Sequence, residues 1–135
     1  MQREIKFRAE YKGKIYEVEN IYYQDELITL VVGQFQEGNV LRVRIAEVNL
    51  MQDTGVKDKN GKEIYEKDLV THVNFADDYF LTVAIGGYSP TNKEEDCGFG
   101  VFIYSEDRTF VKGWVGVAVD TNVEVVGNIY QKLKN

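Results

Sequence analysis

Apolar and polar positions alternate with a period close to two along most of the chain, the repeat of a strand with one buried face. Ile5, Phe7 and Ala9 alternate with Glu4, Lys6, Arg8 and Glu10. Lys12-Gly13 then signals a turn before Ile15, Tyr16, Val18 and Ile21, so the chain is expected to open with a β-hairpin. Leu27 to Phe35 is a β-branched apolar run bounded by Asp25-Glu26 and by Gln36 to Asn39. Val40 to Val48 alternates again, with Leu41, Val43 and Ile45 against Arg42, Arg44 and Glu47. Further on, Asn60-Gly61 is the pair preferred in a two-residue type I′ turn, because both central positions there need positive φ. It predicts a tight hairpin tip. Leu69 to Phe75, Tyr79 to Ile85, Gly98 to Tyr104, Phe110 to Val119 and Val123 to Tyr130 read as five more strands. They are separated by Asp77-Asp78, Gly86 to Asp96, Glu106-Asp107 and Asp120 to Asn122.

No segment has the period of a three-turn helix, and Pro90, the only proline, falls in a loop. Short strands with turn signals every 8–12 residues predict a mainly β fold. We expect a single compact domain of short antiparallel strands over residues 1–135, a small SH3-like or OB-like barrel with an N-terminal hairpin. A subdivision into N-terminal strands (1–49) and a small barrel (50–135) is compatible with the pattern. The chain is 135 residues long with 44% apolar residues, enough to bury a core without metal or disulfide.

Sixteen basic residues against 22 acidic ones leave a charge of −6, which disfavours non-specific binding to nucleic acid or anionic membranes. The charge is unevenly spread. Between Met1 and Tyr16 the basic residues Arg3, Lys6, Arg8, Lys12 and Lys14 face only Glu4 and Glu10. Between Asp77 and Asp107 seven acids, among them Glu94, Glu95 and Asp96, face only Lys93. One cysteine excludes an intrachain disulfide, and the N-terminus has neither an apolar signal region nor a membrane-length apolar run. A cytoplasmic protein with no membrane partner is the expectation.

Motifs for cofactor or metal chemistry are missing. One Cys and one His cannot make a zinc site with three or four such ligands. Asp58-x-Asn60-Gly61 fails as a calcium loop, since glycine falls fourth instead of sixth and Leu69 stands at the twelfth place. Neither Ser89 nor Ser105 sits in Gly-x-Ser-x-Gly, and no Gly-rich phosphate loop occurs. Cys97 follows Glu94-Glu95-Asp96, whose charges would raise a thiol pKa, so it does not suit a nucleophile paired with His72. For His72 a satisfied strand histidine is the simpler reading. The acids Asp77, Asp78 and Glu94 to Asp96 read as solvated loops before they read as a cation site. The 13% aromatic residues are expected to pair across strands and fill the core. Lys67-Asp68-Leu69-Val70 reads as a strand entry in which an acid is set beside backbone amides.

Three blocks together carry a family resemblance: Arg3-Glu4-Ile5-Lys6-Phe7-Arg8-Ala9, then Leu50-Met51-Gln52 with Thr54 to Glu66, then Glu124-Val125-Val126-Gly127-Asn128-Ile129-Tyr130. In that order they closely resemble the YopX-like family, found largely in phages and prophages of Gram-positive bacteria. The resemblance implies a phage protein and supplies no catalytic residues. The chain departs from the family pattern at Glu10, Asp53 and Lys67, where Trp, an aromatic and Gly are usual, and at Gln131-Lys132, where Asn-Pro is usual.

These observations point to a non-enzymatic, cofactor-free protein–protein interaction module, a homo-oligomer that also takes a host or phage protein as partner. Its candidate surfaces are the tip, with Lys57, Lys59, Asn60 and Lys62, and the acidic loop, with Glu94, Glu95 and Asp96. The alternative is nucleic-acid binding through Arg3, Lys6, Arg8, Lys12 and Lys14.

Overall fold

A computed structural model describes residues 6–32, 39–76, 79–91, 95, 98–114 and 118–131. The chain forms two compact units, residues 1–52 and 53–135. Among the described residues the fold is mainly β, with a short 3-10 turn at Ile45–Glu47 and no α-helix.

In the first unit β1 (Phe7–Tyr11), β2 (Lys14–Tyr22), β3 (Leu27–Val31), β4 (Val40–Arg44) and the start of β5 (Asn49–Lys57) pair antiparallel in the order β4-β3-β2-β1-β5. The opening hairpin turns on Lys12 (φ 50°) and Gly13 (φ 84°), two consecutive positive φ values of a type I′ turn, and the Glu10 carboxylate accepts the Gly13 N–H at 2.7 Å. Ala9, Ile28, Leu30 and Val43 are the buried core of this unit.

In the second unit the later half of β5 pairs with β6 (Glu63–Tyr65). A five-stranded antiparallel sheet follows, ordered β10-β9-β8-β7-β11, from β7 (Asp68–His72), β8 (Leu81–Tyr88), β9 (Gly98–Tyr104), β10 (Phe110–Trp114) and β11 (Val123–Asn128). Val56, Ile64, Val70, Leu81, Val83, Val101, Ile103, Trp114 and Val123 pack as its core.

The mainly β expectation therefore stands. No closed barrel forms among the described residues, because both strand orders have ends. Alternation specifies which face of a strand is buried but carries no information about closure. The Asn60-Gly61 tip also differs from expectation. Gly61 has φ 78° but Asn60 is not in the left-handed region. Gly61 N–H donates to the Asp58 carbonyl at 3.0 Å and Asp58 N–H to that of Lys62 at 2.9 Å. The result is a three-residue loop with glycine in the left-handed position. It is favoured over the two-residue turn because Asp58 is fully buried and accepts the N–H groups of Asn60 and Lys62 on Oδ1, both at 2.9 Å.

Candidate functional site

The tip is anchored to the rest of the second unit. Lys57 exchanges backbone bonds with Ala118 and Asp120 at 2.8 and 2.7 Å, and Lys59 N–H donates to the Val123 carbonyl at 3.0 Å. Asp58 Oδ2 accepts from Val125 N–H at 3.0 Å. At the surface, Asn60 donates to Glu124 at 3.1 Å, and Lys59 lies 3.9 Å from the same carboxylate. Lys57, Lys59, Asn60 and Lys62 are exposed on this rigid support.

Next to it lies a cleft of about 550 Å³, which strand alternation builds at one end of the core. On β7 the inward row runs from Val70 to His72, on β9 from Val101 and Ile103 to Ser105 just past the strand's end, and on β10 from Trp114 back to Lys112. His72, Ser105 and Lys112 thus bring polar groups to these rows, and they line the cleft with Phe75, Tyr79, Asp107, Thr109, Phe110 and Asn122. A smaller hollow between Lys59, Thr71, Val73 and Glu124 shares His72, Phe75 and Asn122 with it.

The polar groups are held by specific bonds. His72 is only 8% exposed, and its Nδ1 accepts from Asn74 N–H at 3.1 Å, which places the proton of the neutral ring on Nε2. Burial lowers its pKa, the Lys112 charge lowers it further, and Asp120 opposes both. Asp120 is 5% exposed. Its Oδ2 meets Lys112 Nζ at 2.9 Å and accepts from the Trp114 indole N–H, while Oδ1 accepts from Asn122 N–H at 2.7 Å. Burial pushes the Asp120 pKa up, but these bonds outweigh it and hold the carboxyl below its ordinary value. Asp107, in the exposed β9–β10 turn, accepts from Ser105 Oγ and from Thr109 N–H, and these bonds depress its pKa. Phe75 stacks on Tyr79 with centroids 5.1 Å apart, and His72 meets Phe75 edge-on at 5.8 Å.

Other sequence candidates are dispersed. Glu95 is exposed, whereas Glu94, Asp96, Cys97 and Arg3 lie outside the described residues. Arg8 stands opposite Glu17, and Lys14 opposite Tyr11. Directly paired residues share a face, so Lys6 and Arg8 project from one side of the hairpin and Lys14 from the other, with Lys12 at the turn. They make no single basic strip. Asp68, read as a strand-entry acid, is buried and accepts Tyr65 N–H at 2.8 Å. Among the described residues no three His, Cys, Asp or Glu side chains converge as metal ligands, and no helix is long and apolar enough to cross a membrane.

Sequence reasoning did not find Lys112, Asp120, Asn122 or the aromatic wall. The usable signal was a polar residue in line with alternating apolar ones, Ser105 after Val101 and Ile103 and Lys112 between Phe110 and Trp114. No curated protein matches the chain in sequence. A family model described as the YopX protein matches residues 6–133, in keeping with the three sequence blocks, and the chain belongs to the YopX protein family.

Proposed function

We propose that the protein is a non-enzymatic binding module of a phage or prophage, acting in the cytoplasm of a Gram-positive host through contacts with other proteins and with further copies of itself. The observation that carries this reading is the continuity of one surface. His72, Phe75 and Asn122 line both the cleft and the smaller hollow beside Lys59, so tip and cleft form a single face. A rigid loop next to a concave, partly aromatic wall is the form of a recognition surface.

The bonding of the polar groups supports binding over catalysis. A general base needs an acceptor available to a substrate proton. His72 Nδ1 is occupied by Asn74, and Asp120 accepts from three donors. Ser105 donates to Asp107 and is buried, which ties it to the turn.

The test compares the wild-type chain with a Lys59→Glu/Phe75→Ala double variant in affinity capture from a Gram-positive host lysate, with and without nuclease. Retention of a protein that survives nuclease and is lost in the variant is the expected result. Recovery that vanishes with nuclease would move the reading to nucleic acid. Sedimentation of the wild-type chain as a monomer at tens of micromolar would remove self-association from the reading.

A further inference from the structure

We infer that the cleft receives an arginine side chain presented by a partner polypeptide. This rests on the binding-module reading and adds the chemistry of the ligand.

Charge is the first argument. Lys112 lines the cleft, but its ammonium is 2.9 Å from Asp120, whose side chain is 3% exposed. Drawing Lys112 toward an anion would leave that buried carboxylate without its cation, at a cost surface contacts do not recover. Burial and the Lys112 charge keep His72 neutral near physiological pH, so it brings no charge. Asp107 remains. It is exposed, the groups that donate to it, Ser105 Oγ and Thr109 N–H, are neutral, and they keep it ionised. Its sequence neighbours Glu106 and Arg108 carry opposite charges and offset one another. The wall therefore carries a negative charge that a cation matches.

Shape is the second argument and rests on different atoms. Phe75 and Tyr79 are 37% and 40% exposed, and their rings lie within 12° of parallel at 5.1 Å. Exposed aromatic faces attract cations through the ring quadrupole. A guanidinium is favoured over an ammonium because it is planar, stacks on such a face and can fork onto a carboxylate at the same time. The cleft, at about 550 Å³, admits such a side chain together with its flanking backbone.

The experiment titrates the ¹⁵N-labelled full chain with three blocked tripeptides, Gly-Arg-Gly, Gly-citrulline-Gly and Gly-Glu-Gly. Citrulline keeps the shape of arginine without its charge. The arginine peptide is expected to shift the amides of Phe75, Thr109, Lys112 and Asn122, with the other two at least about tenfold weaker. Asp107→Asn retains the turn acceptor and should weaken the arginine peptide by about tenfold, with the spectrum outside residues 105–109 unchanged. Equal response to citrulline or glutamate, shifts located elsewhere, no shift at millimolar peptide, or an unaffected Asp107→Asn variant would each overturn the inference. If any of these occurred while the Lys59→Glu/Phe75→Ala variant still lost its captured protein, arginine recognition would fall and the binding module would stand.

Discussion

Asp58 shows what one buried carboxylate does for a hairpin that must hold its shape. It is fully buried and accepts three backbone N–H groups, from Asn60, Lys62 and Val125, so it closes the tip and joins it to β11. Asp58→Ala leaves those donors unsatisfied and should cost at least about 3 kcal/mol, read as a lower urea midpoint. Asp58→Asn retains the Oδ1 acceptor and should cost clearly less. His72 makes stability depend on pH. Its folded-state pKa lies below the ordinary 6.5, so near that pH the unfolded chain binds the proton first. The contribution is therefore complete above about pH 6.5 and is lost as pH falls through the unfolded value toward the folded one. Urea midpoints should fall between pH 7.5 and 5.5 in the wild type and stay flatter in His72→Gln. Asp120 has the same sign at lower pH: its depressed pKa adds stability above about pH 4 that disappears on further acidification.

At the scale of elements, two positions put backbone conformation against side chain. Lys67 has φ 71° in the turn leading into β7, and the family resemblance implies glycine there. The left-handed region costs a lysine about 1–2 kcal/mol, while glycine adds about 0.5–1 kcal/mol of unfolded-state entropy. Lys67→Gly should therefore raise stability by roughly 0.5 kcal/mol, less what is lost by removing the ammonium 5.6 Å from the Tyr130 ring. Gly113 is constrained by packing instead. A Cβ there would run into the Tyr88 ring, which is stacked on Phe110 at 5.2 Å and abuts Phe102 at 5.5 Å. Gly113→Ala should cost about 1–3 kcal/mol, visible as a lower thermal midpoint, because the ring must shift from its packing against Phe102 and Phe110. The strands themselves were legible. Gly98 to Tyr104 was read with the bounds that β9 has, and Lys12-Gly13 was placed at the turn where the first hairpin reverses. The Asn60-Gly61 turn type was not, because dipeptide preference cannot register a buried Asp58 that stabilises the longer loop.

At the scale of the whole molecule, the two units differ in how much apolar surface each buries. Among the described residues the first has four buried apolar side chains in its core, the second nine, spread over seven strands. Opening free energy follows such burial, so amides of β8 and β9 should exchange with solvent slowest and those of β2 to β4 faster, as measured by hydrogen exchange with mass spectrometry. Exchange in β2 to β4 as slow as in β8 and β9 would contradict that ordering.

The amino-acid sequence by itself determined the class of fold, the position of most strands and turns, the family, and the absence of recognisable metal or cofactor motifs. These depend on periods of two, on turn residues and on residue types, all local along the chain. Tertiary structure decided the rest. His72 and Lys112 come from β7 and β10, Ser105 from the residue after β9, and Asp120 and Asn122 from the segment before β11. Their meeting at one end of the core depends on pairing register and sheet order, which alternation along a single strand does not encode.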